Sequence, residues 1–97
     1  MYLIRFSKQA EKDKINLKTV GLEKKARELL HIIKEDPFQN PPPYEALVGN
    51  LRGFYSRRIN IQHRLVYSVY QEKIAVDDLL YDGTVVVARM WTHYEGV

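Results

Sequence analysis

Residues 22–37 read LEKKARELLHIIKEDP. Within them Leu22, Ala26, Leu29, Leu30 and Ile33 recur at i, i+4, i+7, i+8 and i+11, the stripe of an amphipathic helix. Pro37 ends that helix, because the residue before a proline resists the α conformation. Upstream, Tyr2 to Phe6 reads as a short strand, and Ser7 can cap a following helix by accepting a backbone N–H bond. Lys8 to Leu17 is strongly charged, with Ala10, Lys14 and Leu17 on one side, and gives a weaker amphipathic helix. Thr19-Val20-Gly21 separates the two helices.

Beyond Pro37 the pattern changes from helix to strand. Pro37 to Pro43 holds all four prolines and forms a stiff, extended loop. Leu51 to Ile61 reads as one strand and Arg64 to Tyr70 as a second. Asp82-Gly83 carries a hairpin signal, placing Ile74 to Tyr81 beside Thr84 to Trp91, with Val85-Val86-Val87 in a buried strand. The order is one strand, two helices, then three or more strands joined by short turns. It predicts a single α+β domain over residues 1–97. Two N-terminal helices pack on a mainly antiparallel sheet of about four strands, with an extended hairpin near 72–84.

A chain of 97 residues supports one modest core and has no room for a Rossmann domain or a TIM barrel. Hydrophobic residues at 45% and charged residues at 28% are ordinary globular composition and exclude disorder as the main state. Cysteine is absent, which removes disulfides, thiolate metal sites and a Cys nucleophile. No apolar run suits a signal peptide or a bilayer span, so the expectation is a cytoplasmic protein without membrane contact. His31, His63 and His93 show no metal-ligand spacing, and no phosphate-cradling glycine loop or GxSxG elbow is present. Neither metal nor cofactor is expected.

The charge distribution says more than the net +3. Residues 1–45 carry nine basic and seven acidic side chains, whereas residues 46–71 carry no acid and four arginines, Arg52, Arg57, Arg58 and Arg64. His63, Phe54, Tyr55, Tyr67 and Tyr70 lie among them. This is the footprint of a polyanion site, or else the solvated faces of strands. Arginine suits the first reading because its fork binds phosphate oxygens bidentately. Arg57 and Arg58 alternate along a strand, so at most one of them shares a face with a substrate. Arg64 and Tyr70 share strand parity, and Tyr67 does not.

What remains is acid–base chemistry with arginine support. RNA supplies its own nucleophile, the ribose 2′-hydroxyl. Cleavage then needs a base for the hydroxyl proton, cations for the crowded phosphorane and an acid for the leaving 5′-oxygen. Glu45, the arginines and His93 are of those types.

The stretch Glu45-Ala46-Leu47, then Asn50 to Ile59 (NLRGFYSRRI), Gln62 to Tyr67 (QHRLVY) and the pair His93-Tyr94 resembles the Txe/YoeB toxins of the RelE/ParE superfamily. The resemblance runs from Leu3 to Tyr94 and is densest over 45–67. It implies a RelE-like fold and a toxin of a type II toxin–antitoxin system. The implied activity is ribosome-dependent endonucleolytic cleavage of mRNA in the A site, which stops translation. By position, Glu45 matches the general base, His93 the general acid, Arg64 the arginine that stabilises the transition state, and Tyr94 the substrate-positioning tyrosine. Arg58 matches a second phosphate-side arginine. Arg52, Arg57 and His63 are further RNA-contact candidates, His63 alternatively shaping the turn before Arg64. The implied partners are mRNA, the 70S ribosome and a neutralising antitoxin, and a homodimer stays open.

Three positions depart from the better-known members. Val48 stands where they carry lysine, Glu95-Gly96-Val97 follow the terminal tyrosine, and Gln71 to Thr84 is longer. The acids Glu72, Asp77, Asp78 and Asp82 make that extension a poor RNA contact and suit it to dimer or antitoxin contacts. A non-cleaving inhibitor of translation and a ParE-like gyrase poison are the alternative functions.

Overall fold

The computed structural model describes residues 1–91. Strand β1 (Tyr2–Phe6) leads into helix α1 (Lys8–Thr19) and helix α2 (Glu23–Glu35). Strands β2 (Glu45–Ala46), β3 (Phe54–Arg58), β4 (Arg64–Tyr70), β5 (Ile74–Val76), β6 (Leu79–Tyr81) and β7 (Gly83–Arg89) follow. Five of them form one sheet in the order β1-β7-β4-β3-β2, and β5 and β6 form a separate hairpin. All ladders of the main sheet are antiparallel except β1 with β7, which is parallel.

The helices start and bury as their residues dictate. The Ser7 side chain accepts from the Ala10 amide at 3.0 Å and donates to the Ala88 carbonyl at 2.8 Å, so one hydroxyl caps α1 and ties it to β7. Ala26, Leu29 and Ile33 of α2 are buried, with Leu22 and Leu30 packed at the margin. They meet Ala10 and Leu17 of α1, and Leu65, Tyr67, Val85 and Val87 of β4 and β7. Each leucine, isoleucine or valine among them removed from water stabilises the fold by about 1.5–3 kcal/mol. Helix α1 carries an unexpected member on its inner face: Asp13, between Ala10 and Leu17, is fully buried. Its Oδ2 accepts from Arg89 Nε and from the Met90 amide, both at 2.9 Å, which fastens α1 to the end of β7.

The sheet differs from expectation in three ways. It has five strands rather than about four, because the two residues Glu45 and Ala46 add an edge strand to β3. The strand expected over Leu51 to Ile61 is shorter, since Gly49–Leu51 form a 3₁₀ turn and only Phe54–Arg58 pair. The hairpin extension is present, but the segment expected to pair as one strand with Thr84 to Trp91 folds on itself instead: β5 pairs with β6 about an Asp77-Asp78 turn, with φ of 51° and 68°, and β7 pairs with β1 and β4. Aspartate tolerates this left-handed region better than most residues, and a two-residue turn of type I′ needs it at both positions. Asp82 instead closes the end of the sheet. Its amide donates to the Met1 carbonyl at 2.9 Å, and its carboxylate takes the Met1 α-amino group. The hydrogen bond and charge of that amine hold the carboxyl below its ordinary value.

Gly83 has a packing role. A Cβ there would fall on the Tyr70 carbonyl oxygen and lie 2.9 Å from a Tyr2 ring carbon. Gly83→Ala is therefore expected to cost about 1–3 kcal/mol by forcing β1, β4 and β7 apart. A urea titration checks this, with a lower midpoint and an unchanged m-value as the expected result.

Among the described residues, no helix is long and apolar enough to cross a membrane.

Candidate active site

The proline loop delivers the chain to Tyr44-Glu45 at the edge of the sheet. Strand β2 is held by two ladder pairs, Glu45 with Ser56 and Ala46 with Tyr55. In an antiparallel ladder directly opposed residues share a face, and so do residues two apart along a strand. Glu45 therefore shares a face with Ser56, and Ser56 with Arg58. Arg58 in turn stands opposite Arg64 of β4. The result is a cleft of about 450 Å³ lined by Pro43, Tyr44, Glu45, Ser56, Arg58 and Arg64.

Its electrostatics point to an anion. Like charges directly opposed across a ladder destabilise a sheet, yet Arg58 and Arg64 occupy one such pair. Arg64 is half-buried and donates from Nη1 to Ser56 Oγ at 3.2 Å. Arg58 and Glu45 are exposed, and among the described residues neither takes part in an ion pair. A phosphate between the two guanidiniums would relieve their repulsion. It would also lie on the sheet face that carries the Glu45 carboxylate. A base and two phosphate-binding cations are what transesterification of RNA requires from this side of the reaction. Among the described residues, no group of three or more His, Asp or Glu side chains is gathered to hold a metal ion.

Of the residues singled out in the sequence, Glu45, Arg58 and Arg64 come together here. Arg52 is exposed but lies after the 3₁₀ turn, outside the cleft lining. His93 and Tyr94 lie outside the described residues.

Arg57 and His63 stand outside this cleft. Arg57 is 1% exposed and points to the helix side of the sheet. Its Nε donates to Tyr67 Oη at 3.0 Å, Nη1 to the Pro42 carbonyl at 2.7 Å, and Nη2 to the carbonyls of Pro37 and Gln39 at 3.0 and 2.9 Å. It is not placed to meet RNA, because strand alternation turns it opposite to Arg58. Tyr67 Oη donates onward to the Pro37 carbonyl at 2.7 Å. Burial pushes this hydroxyl above its ordinary pKa, and Arg57 opposes the rise. His63 is buried with its ring stacked on Trp91 at 4.0 Å, and its carbonyl accepts from the Ile59 amide at 2.9 Å. Its turn-shaping role is the one the geometry supports.

Three lining residues, Pro43, Tyr44 and Ser56, were not singled out as site residues in the sequence. Ser56 was legible in principle, since it stands two positions before Arg58 and so shares its face. Tyr44 carried no comparable signal. Val48 is 82% exposed and outside this cleft.

Comparison with known proteins bears on the family and the fold. Residues 6–94 match a family described as the YoeB-like toxin of bacterial type II toxin-antitoxin system. The toxin YoeB of Synechocystis is 38% identical over 66 residues, covering 68% of this chain and 70% of that protein. The toxin YoeB of Escherichia coli K12 is 42% identical over 53 residues, covering 55% of this chain and 63% of that protein. Among solved structures, YoeB in the heterotetrameric YoeB-YefM toxin-antitoxin complex of Staphylococcus aureus superposes with a TM-score of 0.71 at 34% identity, covering 97% of this chain and 99% of that one. A YoeB/ParE toxin from Agrobacterium tumefaciens reaches a TM-score of 0.78 at 23% identity over 95% and 99% of the two chains, a likeness of fold. The family match takes in both the cleft residues and the His93-Tyr94 pair, and this chain belongs to the family of YoeB-like toxins of bacterial type II toxin–antitoxin systems.

Proposed function

We propose that this toxin is a ribosome-dependent endoribonuclease that cuts mRNA in the A site and so stops translation. The observation that carries the reading is the single sheet face on which Glu45 is placed with Arg58 and Arg64, in an open cleft. In the reaction, Glu45 takes the proton of a ribose 2′-hydroxyl, and the 2′-oxygen attacks the adjacent phosphorus. Arg64 and Arg58 bear the charge that builds on the phosphorane oxygens. The bond to the 5′-oxygen breaks, and His93 donates the proton that this oxygen takes up. Tyr94 holds the substrate against that acid. The products are a 2′,3′-cyclic phosphate and a free 5′-hydroxyl, so atoms and protons balance with no cofactor.

The acid-free run over 46–71 contributes Arg58 and Arg64 to the cleft, the cations that a partner built of rRNA and mRNA requires. An antitoxin partner follows from membership of the family and from the S. aureus complex of YoeB with YefM. A homodimer follows from the S. aureus YoeB dimer, 35% identical and covering 96% of this chain.

Purified toxin added to ribosomes programmed with a defined mRNA tests the chemistry. The expected result is one cut within the A-site codon, with a cyclic phosphate on the upstream product. A 2′-deoxy substitution at the scissile nucleotide is expected to abolish the cut. Inhibited translation with intact mRNA would contradict the proposal and favour a non-cleaving inhibitor.

A further inference from the structure

We propose that Arg57 is a positioning residue for Glu45, a role that rests on the endoribonuclease reading for its catalytic consequence. The starting point is how little else holds Glu45. Strand β2 has two residues at the edge of the sheet, paired on one side only. The chain entering it contains Pro41, Pro42 and Pro43, none of which has an N–H to donate. Those three residues can be gripped only through their carbonyls, so the donors must come from elsewhere.

Arg57 supplies them. Its two terminal nitrogens hold the carbonyls of Pro37, Gln39 and Pro42, at 2.7 to 3.0 Å. Its Nε engages Tyr67 Oη, which itself donates to Pro37. The guanidinium carbon lies 5.0 Å from the centroid of the Tyr44 ring, the residue next to Glu45. Phe38 and Tyr55 close around that ring with centroids 6.0 Å away. Every anchor except Tyr67 and Tyr55 thus lies on the segment 37–44 that delivers Glu45. The clamp also sits beside the catalytic register on the other strand, because Arg57 follows Ser56, which stands opposite Glu45.

The choice of arginine fits positioning better than space-filling. Among the described residues no carboxylate pairs with Arg57, so its charge is met only by carbonyl oxygens, a hydroxyl and an aromatic face. Burying a cation this way is costly, and an apolar side chain would fill the same space at lower cost. A rigid planar fork does what an apolar chain cannot, since it fixes the directions of three carbonyls at once. Lysine offers one nitrogen and cannot reproduce that spread.

Arg57→Lys, with Tyr67→Phe as the milder variant that keeps the packing, tests the role through two readouts. The first is amide exchange. Segment 45–47, where the Leu47 amide donates to the Phe54 carbonyl at 2.9 Å, is expected to lose protection in Arg57→Lys while β4 and β7 keep theirs. The second is cleavage on programmed ribosomes at a temperature where all variants are folded. A misplaced base is expected to lower kcat about 10–100-fold, with KM within about twofold. In a Glu45→Gln background Arg57→Lys is expected to cost nothing more, and Tyr67→Phe repeats the pattern at smaller size. Unchanged exchange over 45–47, or the same fold loss with and without Glu45, would overturn the proposal. If the wild-type toxin cleaves nothing, the endoribonuclease reading falls, and the exchange data alone decide whether Arg57 positions this segment.

Discussion

Glu45→Gln is expected to lower the rate of mRNA cleavage by about 10²–10⁴-fold, the usual contribution of a positioned general base. The substitution is nearly isosteric and removes only the capacity to take a proton. Stability should hardly change, because Glu45 is exposed and takes part in no ion pair among the described residues. A change within about 0.5 kcal/mol is expected from such a site. Binding of a 2′-deoxy substrate analogue should also persist, since Arg58 and Arg64 remain to hold the phosphate. The measurement is single-turnover cleavage on programmed ribosomes, beside a thermal melt of each variant. Cleavage within tenfold of wild type would mean that the 2′-hydroxyl proton goes elsewhere.

Asp13→Ala should have the largest effect on stability, about 3–5 kcal/mol, out of a total of roughly 5–15 kcal/mol for a domain. Asp13 is 0% exposed and serves two donors through one oxygen, Arg89 Nε and the Met90 amide. Gln9 Nε2 donates to the other oxygen at 3.1 Å. Alanine leaves the buried Met90 amide without an acceptor and takes the partner from Arg89. The Arg89 side chain keeps 21% exposure and can turn to water, which places the effect toward the lower end. The melting temperature should fall by about 12 °C or more. A loss below about 1 kcal/mol in a urea titration would show that α1 is held to β7 without this pair.

The parts of the fold that sequence made legible are those written in hydrophobic periodicity. The stripe of α2 buries Ala26, Leu29 and Ile33 as spaced, and Val85 and Val87 enter the core. Parity also separated Tyr67, which is buried, from Tyr70, which is 55% exposed. It likewise indicated that only one of Arg57 and Arg58 could face a substrate. Parity alone left open which one, because that depends on which face of β3 the helices cover, and only the family resemblance favoured Arg58. Leu65, opposite Arg57 and buried in the core, supplies the answer, and this is a fact of pairing. Asp13 escaped notice because a charged residue on a helix is ordinarily solvated; its partners, Arg89 and Met90, are 76 and 77 positions away. The hairpin read at Asp82-Gly83 is absent because both edges of β7 are taken by β1 and β4, and the segment before it turns on itself at Asp77-Asp78. Gly83 is required for the space beside Tyr70 and Tyr2. Glu45, Arg58 and Arg64, which line one cleft, were singled out from residue type and family resemblance. The edge strand that aligns Glu45 with Ser56 has two residues, too few for any periodic signal.

The most direct test of the central claim is to map mRNA 5′ ends in bacterial cells after brief induction of the toxin. Wild type is compared with Glu45→Gln, Arg64→Ala and His93→Ala. The account predicts new ends in translated reading frames, at a fixed position within codons, in wild type and at least a hundredfold fewer in each variant. Growth arrest without new ends, equally strong in all four strains, would contradict it and remove the acid–base role assigned to this cleft.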